Sequence, residues 1–111
     1  MLYTTFTVKD IDYKCRLSAK ACVELEKKLG TNPLNIFMDI ATSGKLPSLT
    51  TLIYILHGSM TQYNHGVTVE KVYEIYDDFI DEGNNMMDLV PVIMDIFKVS
   101  GFYNEDETEK N

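Results

Sequence analysis

From Leu2 to Leu17 apolar and polar residues alternate, the period of a strand with one buried face. If the chain reverses at Lys9-Asp10, Val8 falls opposite Ile11, Phe6 opposite Tyr13, Thr4 opposite Cys15 and Leu2 opposite Leu17, and all eight side chains share one face. This predicts a β-hairpin of strands 2–8 and 11–17. Lys-Asp makes a weaker two-residue turn than Asn-Gly, which leaves a tight turn and a longer loop both open. A lone hairpin is marginal in water, so its apolar face needs another layer to pack on.

Past Leu17 the apolar spacing lengthens to that of helices, and the residues at the breaks are helix caps. Ser18 is placed to cap a helix over 18–29 that ends at Gly30, with Ala21, Cys22, Leu25 and Leu29 as its inner stripe. Asn32 followed by Pro33 opens a short helix over 33–42, with Leu34, Phe37, Ile40 and Ala41 inside and Gly44 behind it. Ser48 starts a helix over 48–63, where Leu49, Leu52, Ile53, Leu56, Met60 and Tyr63 line one face and the other face carries Tyr54, Ile55 and no charge. Thr68 starts a helix over 68–82, for which Val69, Val72, Tyr73, Tyr76 and Phe79 or Ile80 are the expected core stripe. A fifth helix spans 86–100. Its Pro91 breaks the hydrogen-bond ladder if Asn85 is the cap and sits harmlessly in the first turn if Asp88 is. The pattern therefore predicts an α+β fold, mostly helical: one compact domain over 1–101 and an acidic, flexible tail over 102–111.

A chain of 111 residues with 45% hydrophobic residues has room for one core. The longest uncharged stretch, Leu46 to Val69, is interrupted by Pro47, His57, Gly58, Asn64 and Gly66, so no membrane-spanning helix is expected. The opening residues Met1 to Phe6 lack the basic and apolar regions of a secretory signal, which places the chain in the cytoplasm. There Cys15 and Cys22 are expected to stay thiols.

The net charge of −7 is uneven. Residues 1–69 hold seven basic and five acidic side chains, and residues 70–111 hold three and twelve. Phosphate backbones repel such a protein, so nucleic acid is disfavoured and a basic or amphipathic protein partner is favoured.

Candidate chemistry is sparse. His57 and His65 have no cysteine or carboxylate at ligand spacing, so no metal site is expected, and the chain lacks a phosphate loop or a nucleophile elbow. No enzyme activity or cofactor is read from it. Asp77, Asp78, Asp81 and Glu82 crowd one helix C-terminus, where the helix dipole disfavours acids, and a basic group of a partner or neighbouring subunit is expected to offset them. Apolar residues exceed the expected needs of one small core at Tyr54, Ile55, Met86, Met87, Met94 and Ile96, with Val92 and Val99 nearby. These form the expected partner-binding set, and filling the core or a homo-oligomer contact is the competing explanation of the same surplus.

The ordered set of segments Tyr3 to Val8, Tyr13 to Leu17, Val23 to Gly30, Asn32 to Phe37, Leu56 to Met60, His65 to Thr68, Val72 to Asp77 and Leu89 to Phe102 resembles tail assembly chaperones of siphophages and prophages of Gram-positive bacteria, over nearly the whole chain. The resemblance implies a protein that binds the tape measure protein and keeps its hydrophobic helices soluble until the tail tube polymerises around it. It implies action in the bacterial host cytoplasm and absence from the mature virion. It also implies a longer form, made by ribosomal frameshifting, that contacts tail tube protein; Glu109-Lys110-Asn111 can be encoded by a run containing the slippery A AAA AAC heptamer. It carries over no residue-level site. The alternative is a small phage structural or adaptor protein, such as a connector subunit, that stays in the particle.

Overall fold

Lys9 and Asp10 both occupy the left-handed region, with φ of 49° and 64°. The hairpin therefore closes in a two-residue turn of the type whose twist matches paired strands. In the computed structural model, which describes residues 2–104, strands β1 (Thr4–Val8) and β2 (Ile11–Cys15) pair antiparallel, with Thr4 opposite Cys15, Phe6 opposite Tyr13 and Val8 opposite Ile11, as the alternation predicts. Lys9 holds its strained turn by two contacts to the helix beneath: its N–H donates to Glu82 Oε1 at 3.0 Å, and its Nζ lies 3.2 Å from Asp78 Oδ1. Asp10 makes no such contact, so Asp10→Gly, which enters the left-handed region without a Cβ, is expected to stabilise the protein by about 0.5–1 kcal/mol. A thermal midpoint at or below that of the unsubstituted protein would contradict this.

Five helices follow: α1 (Ala19–Leu29), α2 (Pro33–Ser43), α3 (Leu49–Met60), α4 (Val69–Asp81) and α5 (Leu89–Val99). Each of the first four starts where its cap predicts. Ser18 Oγ accepts the Ala21 N–H, Asn32 Oδ1 that of Leu34, Ser48 Oγ that of Thr51 and Thr68 Oγ1 that of Lys71. Helix α3 ends three residues before the predicted 63, because the side chain of Asn64 donates to the Met60 carbonyl at 2.9 Å and to Lys14 O at 2.9 Å. Before α5 the chain makes a 3-10 turn, Met86–Asp88, in which Asn85 and Asp88 each accept the other's backbone N–H. Pro91 is then the third residue of α5, inside the first turn, where its missing N–H costs little.

Helix α3 is the centre of the molecule. It packs on α1, α4, α5 and β2, and Leu52, Ile53, Ile55, Leu56 and Met60 are all buried. Strand β1 lies on α4 and α5, with the Phe6 and Phe79 rings 5.4 Å apart. The base of β2 is tied to α3 by Arg16 N–H donating to Ser59 O at 2.7 Å, and to α5 by Leu17 N–H donating to Ser100 Oγ at 2.9 Å. The helices thus cover the hairpin face obliquely: Phe6, Val8, Cys15 and Leu17 are buried, while Leu2 and Ile11, at the two opposite corners, remain 69% and 53% exposed. In α2 the buried line is Pro33, Phe37 and Ile40, and the predicted Leu34 and Ala41 face outward.

The tail does not begin at Phe102. Phe102 donates its N–H to Phe97 O, Tyr103 Oη donates to Met94 O at 3.2 Å, and the Tyr103 ring stacks on Phe37 at 4.9 Å. The expected flexibility of the remaining tail and the frameshift site at Glu109–Asn111 fall outside the described residues.

Candidate protein-binding face on helix α4

Helix α4 carries two apolar rows where a helix on the rim of a core needs one. Val72, Ile75 and Phe79 point inward and are buried. The second row, Val69, Tyr73, Tyr76 and Ile80, follows i, i+4, i+7, i+11 and runs along the outside: Tyr73 is 46% exposed and the other three are half-buried. Of the predicted core stripe, Val72 and Phe79 are buried as expected, Val69, Tyr76 and Ile80 pack against the edge of the core, and Tyr73 faces solvent, while Ile75, which the stripe left out, is buried. At the end of this row Tyr76, Asp77, Ile80 and Asp81 line an open cleft of about 590 Å³ with Asn84, Asn85 and Met86. Met87, beside it in sequence, is 57% exposed.

The predicted binding residues separate into three groups. Ile55 and Ile96 are wholly buried in the core and offer a partner nothing. Tyr54 and Met94 are half-buried. Tyr54 lies in a crevice of about 30 Å³ between α1 and α3 with Lys28 Nζ 5.5 Å from its ring, and Met94 packs against the core under Tyr103. Met86, Asp77 and Asp81 line the α4 cleft, and the exposed Met87 follows Met86 in sequence.

The acid cluster is divided as well. Lys9 of the hairpin turn engages both Asp78, through its ammonium, and Glu82, through its backbone N–H, so the basic group expected from a partner is supplied by the chain itself for Asp78, and Glu82 is met by a neutral donor. The carboxylates of Asp77 and Asp81 have no hydrogen bond or ion pair among the described residues. Sequence reasoning missed Tyr73 as a surface residue and the outward edges of Tyr76 and Ile80; the signal available was the excess of apolar positions on α4 itself.

The profile of a family of unknown function, DUF6096, matches residues 2–111. The chain belongs to that family. No curated protein and no solved structure matches it.

Elsewhere in this DUF6096 chain the reactive side chains are held in structural roles. Among the described residues no three His, Cys, Asp or Glu side chains are placed to hold a metal ion, and no helix is long and apolar enough to cross a membrane. His57 Nε2 lies 3.2 Å from Val67 O, a contact it makes as an N–H donor, which ties α3 to the loop before α4. Both cysteines are free thiols. Burial raises the Cys22 thiol, and the nearby Glu26 raises it further. Burial pushes Cys15 from 9.0 up to about 11, with a hydrogen bond to Ser59 drawing it partly back. Neither is primed as a nucleophile, since the thiolate is the reactive form.

The Cys15 shift carries a pH dependence. The folded thiol holds its proton more tightly than the unfolded one, so its contribution to stability is whole below the unfolded value of 9.0 and is lost as pH rises through about 11. Urea denaturation across that window is expected to show the native protein losing up to about 1.4 kcal/mol per pH unit more than Cys15→Ala. Parallel curves for the two proteins would contradict it.

Proposed function

We propose that this protein is a tail assembly chaperone of long-tailed bacteriophages or prophages, binding the tape measure protein in the host cytoplasm and keeping its hydrophobic helices soluble until the tail tube forms around it. The observation that carries this reading is the outer apolar row of α4, Val69, Tyr73, Tyr76 and Ile80, which flanks the buried row of Val72, Ile75 and Phe79 and keeps an outward edge, with Tyr73 46% exposed. A helix apolar on two sides is buried on one and available to a partner on the other. The segment-by-segment resemblance to tail assembly chaperones supports the choice of partner. The chaperone leaves as the tube polymerises and is absent from the finished virion.

Co-expression with a tape measure protein tests this. The chaperone reading expects a higher soluble yield of the long helical protein and co-elution of the two; a yield equal to that with an unrelated acidic protein would remove it.

A further inference from the structure

Beside the outer apolar row of α4 runs a second row of one sign. Glu70, Glu74, Asp77 and Asp81 repeat the spacing i, i+4, i+7, i+11 one residue further on, and all four are exposed. At 100° per residue this acidic row lies about a quarter-turn round the helix from the apolar one, and both extend for roughly 18 Å. None of the four carboxylates has a hydrogen bond or ion pair among the described residues. Lys71, the basic residue of α4, lies three residues before Glu74 and borders the acidic row on the side away from the apolar one. Like charges at i, i+4 repel, and on α4 Lys71 alone is placed to relieve them, beside Glu74, with no basic residue of the helix beside Asp77 and Asp81.

We infer that α4 docks a cationic amphipathic helix of the partner, laid alongside it, whose apolar row meets Val69, Tyr73, Tyr76 and Ile80 and whose flanking Lys or Arg row meets Glu70, Glu74, Asp77 and Asp81. This rests on the chaperone reading and names the class of tape measure segment that is held. Two straight parallel rows suit another helix, in which an apolar seam flanked by charges sets partner choice. Charge complementarity selects the occupant: a neutral or acidic helix would leave the row unopposed. Asp78 and Glu82 stand apart as an internal latch on Lys9 and take no part. The cleft at Asn84, Asn85 and Met86 receives the end of the docked helix.

The test uses two synthetic helical peptides with the same leucine row, one with an adjacent lysine row and the other with glutamates in its place, titrated by fluorescence anisotropy against the full chain. The lysine peptide is expected to bind at least about tenfold more tightly at low salt, a preference that fades as salt screens it. Combined Glu70→Gln, Glu74→Gln, Asp77→Asn and Asp81→Asn should abolish the preference, and Asp78→Asn with Glu82→Gln should leave it. Tyr73→Ala, at an exposed position, should weaken both peptides. Equal affinity for the two peptides, or a preference that survives the fourfold neutralisation, overturns the inference. If the peptides are not distinguished while the chain still keeps tape measure protein soluble, α4 does not select a cationic helix and the chaperone reading stands. If the preference holds and no tape measure protein is kept soluble, the docking face stands and the chaperone reading falls.

Discussion

Ile96→Asp is expected to leave the chain unfolded, not folded and deficient in binding. Ile96 is wholly buried, as are Leu89, Ile93 and Phe97 on the same helix. A carboxyl at this position loses the apolar transfer energy of isoleucine and must be either desolvated or kept protonated, together several kcal/mol. That is a large share of the roughly 5–15 kcal/mol that holds a domain of this size together. Ile55→Asp should behave in the same way. Met87→Asp, at a position 57% exposed, should leave the fold intact. A cooperative urea transition for Ile96→Asp with an unshifted midpoint would show that α5 has an open face after all.

Phe97→Ala is expected to cost about 3–5 kcal/mol, the range for removing a buried phenylalanine. Its ring meets Phe37 edge-on at 5.9 Å and Phe102 at 4.7 Å, and Phe37 in turn stacks on Tyr103. One side chain thus joins α5 to α2 and to the segment after Gly101. Its removal should lower overall stability and also speed amide exchange in α2, whose other principal neighbour is α1. Phe102→Ala, at a half-buried position, should cost less. Equal and small losses for both would mean that the aromatic cluster is not what fastens α2.

The hairpin register and the four helix starts were legible because each depends on residues close in sequence: alternation around Lys9-Asp10, and a hydroxyl or amide two or three residues before the N–H it caps. The phase of α4 was not. Its two apolar rows are separated by about a quarter-turn, and periodicity cannot say which faces the core. That choice is made by α3, on which α4 packs, and by β1, whose Phe6 packs on Phe79. The same long-range arrangement explains the other differences. Lys9 lies more than sixty residues before the acids it engages, and Ile55 and Ile96 looked surplus only while each helix was weighed alone. Phe102 and Tyr103 read as tail because their polar neighbours outweigh them locally; their partners Phe37 and Phe97 lie on separate helices.

The most direct measurement is amide hydrogen exchange on the protein alone and in complex with co-expressed tape measure protein. Docking on α4 predicts that protection rises along that helix and over the turn at Met86–Asp88, with the hairpin and α2 unchanged. Protection gained on α2, where Leu34 and Met38 are also exposed, with α4 unaffected, would contradict it.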